Sequence, residues 1–206
     1  MSETPNGILP DRFEKWFNDR CRYFTNKFSR LGLSPDFVTI FSLLFGLMAG
    51  SLLAANHFFL ALLAGIFMGV LDIVDGQLAS VTGQTSSFGA VLDSTIDRYN
   101  ESFLFVGLAV HYCLTGQPAW VFCVVASLVG SLLTSYVKAR GEGMKLQCNL
   151  GLMQRSERLV ALGIGVIFQG WILKTVIVIL MALTHFTVVQ RLLFLKKQSG
   201  KKPDSK

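Results

Sequence analysis

Apolar runs of about 20 residues recur along this 206-residue chain, and about 20 residues is what a helix needs to cross a hydrocarbon core of roughly 30 Å at 1.5 Å per residue. The runs lie at about 36–55, 58–80, 88–114, 118–139, 156–170 and 171–195. With 51% of residues hydrophobic and 16% charged, the chain is far more apolar than an ordinary soluble domain. The expected fold is all-α, a polytopic membrane protein with six transmembrane helices. The fifth run is short for a crossing and nearly abuts the sixth at Gly170 and Trp171. Either that turn is tight or the fifth helix begins earlier.

The chain divides into three expected regions: 1–33, an N-terminal cytoplasmic segment; 34–195, the membrane domain; and 196–206, a basic cytoplasmic tail. In the first, Phe13, Trp16, Phe17, Phe24, Phe28 and Leu31 alternate with Arg12, Lys15, Arg20, Arg22, Lys27 and Arg30 at helical spacing. That pattern predicts an amphipathic helix lying in the membrane interface. The polar, charged opening predicts no cleavable signal peptide. Ser34-Pro35-Asp36 marks a break and a new helix start.

Basic residues set the expected orientation. Of 19 Lys and Arg, six precede Asp36, five lie between Lys138 and Arg158, and six lie from Arg191 onward. An even number of crossings puts these on one face, which the bias of Lys and Arg identifies as cytoplasmic. The protein is thus expected in the inner, cytoplasmic membrane with both termini and the active site inside. The net charge of +6 follows from topology and anionic headgroups, and no nucleic-acid motif competes with that reading. Cys21, Cys113, Cys123 and Cys148 lack metal-site spacing, and His57, His111 and His185 are scattered, so the pattern suggests neither a zinc site nor a disulfide framework. Gly46 with Gly50, and Gly65 with Gly69, are candidates for close helix packing.

The chemistry-bearing feature is a set of four aspartates. Asp72 and Asp75 are three apart at the end of the second run, and Asp93 and Asp97 four apart at the start of the third. Each pair shares a helical face. A short link makes the two helices antiparallel neighbours, so four carboxylates converge at one depth. Carboxylates gathered in a membrane domain repel one another and call for a cation. An all-oxygen cluster suits Mg²⁺ or Mn²⁺. Two rivals are a buried salt-bridge network with Arg98 or Lys138 and an ion or solute pathway. The small residues Gly76, Ala79, Ser80, Gly83 and Gly89 leave room for a bulky phosphorylated ligand beside the metal.

The stretch Asp72-x-x-Asp75-Gly76-x-x-Ala79, followed by Gly89-x-x-x-Asp93-x-x-x-Asp97, resembles the signature of the CDP-alcohol phosphotransferases. Seven of eight fixed positions match, and the departure is Ser80, where the family carries Arg. The resemblance implies a homodimeric membrane enzyme using Mg²⁺, with Mn²⁺ as an alternative and two ions per site. It implies metal binding by Asp72, Asp75, Asp93 and Asp97, with Asp97 also the general base. It places Asp36, Phe37, Val38, Thr39, Gly76, Ser80 and Ser86 at the donor nucleotide. Glu101, one turn beyond Asp97, has three open readings: support to the site, a partner for Arg98 or Lys138, or a group satisfied by neighbours such as Ser135.

The connection after the fourth run carries Lys138, Arg140, Arg155 and Arg158, more basic residues than a neutral alcohol requires. Lys138-Ala139-Arg140 and Arg155-x-x-Arg158 resemble the branch of that family whose acceptor is inositol phosphate, which implies acceptor binding by these four residues. The expected reaction transfers a phosphatidyl group from CDP-diacylglycerol to a phosphorylated polyol, myo-inositol phosphate first, releasing CMP. Glycerol 3-phosphate is the alternative acceptor. A transporter and a nucleotide-lipid binder without turnover are the alternatives from other classes.

Overall fold

The computed structural model describes Thr25, Ser29, residues 32–146, Cys148, Gly151 and residues 153–199. The expected interfacial helix lies almost wholly outside these residues, as does the chain after Ser199. Among the described residues there are six helices and no strand: α1 Pro35–Ala54, α2 Phe58–Thr82, α3 Ser87–Leu114, α4 Pro118–Gly143, α5 Arg155–Phe168 and α6 Gly170–Ser199. All six expected helices are present. The last continues four residues past 195, into what the sequence suggested was tail.

Four helices, α1, α2, α4 and α6, are long and apolar enough to cross a membrane. The 28-residue α3 is long enough but carries Asp93, Asp97, Arg98 and Glu101. At 14 residues, α5 spans only about 21 Å. Its turn into α6 is the tight one: Gln169 alone separates them, with φ of 53° at Gln169 and 48° at Gly170. The Gln169 N–H donates to the Gly165 carbonyl at 2.8 Å and the Leu173 N–H to the Gln169 carbonyl at 3.1 Å. The turn therefore leaves few polar groups unpaired.

The described chain forms two compact units, one ending at Phe45 and resuming over Ile66–Asp97, the other comprising Gly46–Gly65 and the chain from Arg98 onward. In the first, Val38, Val74 and Leu78 are buried together, with Val70, Leu71 and Ile73 against them. Phe37, Phe41, Phe45 and Phe67 form a ladder of successive ring contacts. Phe37 and Phe67 are more than half exposed. Such outward apolar surface suits a lipid-facing helix.

In the second unit, α4 and α5 each pack along α6. Ser127, Gly130, Ser131 and Thr134 are buried on α4. The Ser127 hydroxyl, donating to the Cys123 carbonyl at 2.8 Å, also lies 3.1 Å from the Ile177 carbonyl, and the Thr134 hydroxyl, donating to the Gly130 carbonyl at 2.8 Å, lies 3.2 Å from the Thr184 carbonyl. Small residues with short hydroxyls let two backbones approach and bond without a hydrophobic driving force. The same unit joins α1 to α3 at the glycines. A Cβ on Gly46 would overlap the Asn100 side chain, one on Gly50 the Phe103 carbonyl, and one on Gly107 the Gly50 carbonyl. The expected packing role thus fits Gly46 and Gly50. At Gly65 and Gly69 a Cβ would meet nothing within 4 Å among the described residues of one chain, so packing within the chain does not use them.

Candidate active site

The link between α2 and α3 is built by local rules. Gly83 takes a left-handed conformation, with φ of 67°, and the Gln84 N–H returns to the Ala79 carbonyl at 3.0 Å, which ends α2. Ser86 then opens α3 by accepting the Gly89 N–H at 2.8 Å. At the start of α1, Ser34 accepts the Phe37 N–H at 3.3 Å and Pro35 occupies the first turn. These stops and starts bring three helix ends of one unit around a common space.

Asp72, Asp93 and Asp97 are half-buried and offer carboxylate oxygens all within 4.8 Å of one another. Three hard anionic donors so close are mutually repulsive without a cation and are the donor type that Mg²⁺ and Mn²⁺ take. The residues present therefore fit a divalent metal. Asp75 stands outside this three-way group. It is 4% exposed, and the Thr39 hydroxyl, which also lies 3.1 Å from the Pro35 carbonyl, donates to its Oδ2 at 2.6 Å. A buried carboxylate held this way has a fixed orientation.

Beside these carboxylates is a pocket of about 240 Å³ lined by Pro35, Asp36, Thr39, Asp75, Gly76, Ala79, Gln84, Thr85, Ser86, Gly89, Ala90 and Asp93. A Cβ on Gly76 would meet nothing within 4 Å, whereas one on Gly89 would press on Ser86 Oγ at 3.0 Å and Asp36 Oδ1 at 3.3 Å. Of the residues expected at a donor nucleotide, Asp36, Thr39, Gly76 and Ser86 line this pocket. Val38 does not, because it faces the buried contact with Val74 and Leu78. Phe37 points outward at 53% exposure and stacks on Phe41. Ser80 is exposed, one turn beyond Gly76, and is not among the lining residues. Gln84 and Thr85, which sequence reasoning passed over as link residues, join the lining; their position directly after a helix-ending glycine was the available signal.

The basic residues behave differently from one another. Lys138 and Arg140 are exposed near the end of α4, with Lys138 Nζ 3.8 Å from Glu142. Arg155 is half-buried as the first residue of α5. Arg158 corrects the expectation of a direct acceptor ligand. Its side chain is 2% exposed, with Nε donating to Glu101 Oε1 at 2.8 Å, Nη2 to Glu101 Oε2 at 3.1 Å and Nη1 to the Met153 carbonyl at 3.0 Å. Glu101 is thus paired with neither Arg98 nor Lys138. Arg191, counted in the sequence only toward orientation, is 4% exposed. Its Nη1 donates to the Thr134 carbonyl at 2.6 Å, and a Cβ on Gly151 would come within 2.9 Å of its Nη2. An Arg buried against the α4–α5 connection marks it as a further candidate.

Known proteins share this fold and sequence pattern. The sequence profile of the CDP-alcohol phosphatidyltransferases matches residues 33–190. The chain is 34% identical over 178 residues to the phosphatidylinositol phosphate synthase of Mycobacteroides abscessus, covering 83% of this chain and 81% of that one. It is 34% identical over 174 residues to the archaetidylinositol phosphate synthase of Pyrococcus horikoshii, covering 82% and 86%. Crystal structures of the phosphatidylinositol phosphate synthase of Mycobacterium tuberculosis have the same fold. The one with CDP-DAG bound has a TM-score of 0.79 at 29% identity, covering 85% of this chain and 92% of that one. The one in complex with manganese and citrate has a TM-score of 0.82 at 28% identity, covering 90% and 93%.

Proposed function

This chain belongs to the CDP-alcohol phosphatidyltransferase family, and on that premise we propose that it makes phosphatidylinositol phosphate and CMP from CDP-diacylglycerol and a myo-inositol phosphate. The carrying observation is the carboxylate triad beside a pocket lined by Asp75 and Asp93. The relatives' names differ in the lipid part and share inositol phosphate, which favours that acceptor over glycerol 3-phosphate.

Asp72, Asp93 and Asp97 would hold a divalent ion, and Asp75 beside them would contribute to a second. Mg²⁺ is the resident metal, with Mn²⁺ able to replace it. Bound metal supplies charge neutralisation for the diphosphate and for the departing CMP. Asp36, Thr39, Gly76 and Ser86 shape the nucleotide's place, and Thr39 also fixes the Asp75 carboxylate. Asp97 accepts the proton of the acceptor hydroxyl as its oxygen bonds to the lipid-side phosphorus. The bond from that phosphorus to the CMP oxygen breaks, and CMP leaves. Arg155 and Arg191, with Lys138 and Arg140, receive the acceptor phosphate.

The protein is a multi-pass membrane protein. We place all six helices across the cytoplasmic membrane, with the site and both termini inside, because 17 of its 19 Lys and Arg fall on one face. The assembly is a homodimer, following the family resemblance.

An acceptor panel tests the reading. Purified protein with CDP-diacylglycerol and Mg²⁺ is expected to release CMP with inositol phosphate and to do so poorly with glycerol 3-phosphate, inositol or serine. Arg155→Ala is expected to raise KM for inositol phosphate by about 10–100-fold, the worth of a charge-assisted hydrogen bond. Equal turnover of free inositol would reject the anionic acceptor. Thr39→Val, which keeps the shape and removes the hydroxyl, is expected to weaken Mn²⁺ binding by about 10–100-fold, as loss of a ligand's hydrogen-bond partner does. Unchanged affinity by Mn²⁺ titration would show that Thr39 does not position Asp75.

A further inference from the structure

Arg158 and Glu101 come from positions 57 apart in sequence and make a two-pronged ion pair, each side chain 2% exposed. A buried pair of this kind is poor evidence of a stabilising role, because desolvation offsets the attraction and apolar residues of similar volume often serve as well. What distinguishes this one is its third bond. Nη1 of Arg158 holds the Met153 carbonyl, immediately before Gln154, which caps α5. Gln154 and Glu157 close a reciprocal capping box there, with the Gln154 N–H donating to Glu157 Oε2 at 2.8 Å. The Arg158 N–H also returns to the Gln154 carbonyl at 3.1 Å. One guanidinium therefore ties the chain entering α5 to Glu101 on α3. The first residue of the helix so fixed is Arg155.

We propose that Glu101 and Arg158 are positioning residues for acceptor recognition: their ion pair sets the first turn of α5, and with it Arg155 and the helix's amino end, in the orientation that receives the acceptor phosphate. This rests on the reading of Arg155 as an acceptor ligand. It explains why a buried guanidinium donates to a carboxylate and a backbone carbonyl in a region rich in other basic residues. The same arrangement makes Glu101, rather than Arg158, the informative residue to change. If Arg158 touched the acceptor itself, removing the Glu101 charge would release the guanidinium and leave acceptor binding equal or tighter. A positioning pair gives the opposite sign.

The test compares Glu101→Gln, Arg158→Gln and the Gln/Gln double variant in the full-length purified protein. KM for inositol phosphate, kcat and the affinity of CDP with Mn²⁺ are measured together. Glu101→Gln is expected to raise KM for inositol phosphate roughly tenfold or more, as misplacement of a binding group does, with kcat and CDP affinity within about twofold. The double variant, whose two amides can bond to each other, is expected to be no worse in KM than either single change. Hydrogen exchange over 153–158, read on the same proteins, is expected to quicken in Glu101→Gln and to recover in the double variant. Unchanged or lower KM in Glu101→Gln, multiplicative effects in the double variant, or kcat and CDP affinity falling as far as KM rises would each overturn the proposal. Wild-type protein that turns over no phosphorylated acceptor would instead overturn the functional reading, so the two failures are distinct. If both single variants fail to fold, a folded Gln/Gln protein with wild-type KM upholds the pairing and one with a raised KM and unaltered exchange overturns it.

Discussion

Asp97→Asn is expected to lower CMP release by about 10²–10⁴-fold, the usual contribution of a positioned general base. Asn matches Asp in size, so the helix and its neighbours stay in place, but it cannot accept the acceptor's proton and carries no charge. Both losses matter at this position, because Asp97 stands in the three-carboxylate group with Asp72 and Asp93. They separate on titration with Mn²⁺. A residue that only held metal would be compensated by excess metal, so rates would recover as Mn²⁺ is raised. Asp97→Asn is expected to saturate with metal and remain slow. Asp93→Asn should behave differently, since Asp93 belongs to the triad and also lines the pocket; its first loss is in metal and nucleotide affinity. Full turnover in Asp97→Asn would remove Asp97 from the base role.

The second large effect is on stability. Gly107→Ala would set a methyl group against the Gly50 carbonyl, with the Gly50 carbonyl carbon and Cα at 2.8 and 2.9 Å. No rotamer relieves this, because the obstacle is backbone, so α1 and α3 must move apart. Overpacking costs about 1–3 kcal/mol and more where nothing can yield, against the roughly 1 kcal/mol that Ala gains over Gly in a helix. A net loss of about 2 kcal/mol, the upper end of that difference, is expected because the obstacle is backbone, read as a fall in thermal midpoint in detergent. Gly76→Ala is the matched comparison. Nothing lies within 4 Å of its added methyl, so its stability should hold or rise. The methyl would, however, occupy the pocket and weaken CDP binding. A stable Gly107→Ala protein would mean that the α1–α3 contact yields more easily than backbone contact allows.

Much of this was legible in the chain, and the reasons differ by feature. Helix ends followed from Ser34-Pro35, Gly83 and Ser86, because caps are chemistry of a few adjacent residues. The aspartate spacing fixed which side chains share a face. What could not be read was rotation. A helix apolar all round, such as α1, carries no stripe to say which side faces protein, so Val38 and Thr39 were assigned together although one is buried with Val74 and the other bonds Asp75. Gly65 and Gly69 show the same limit: their spacing is that of a packing motif, yet among the described residues of one chain no neighbour fills it. Pairing at a distance was also hidden. The count of basic residues after α4 included Arg158, and only the fold reveals that its charge is already matched by Glu101.

The single-residue turn between α5 and α6 bears on how the protein is made. A segment of 14 residues that opens with Arg155, Glu157 and Arg158 gains too little from lipid to leave water by itself. Joined to the 30-residue α6 by Gln169 alone, it has no slack in which to linger at the surface once α6 has entered. The two are expected to partition as one hairpin, α5 entering only with α6. The burial of Arg158 against Glu101, each side chain 2% exposed, is then expected to depend on α6 as well as on α5.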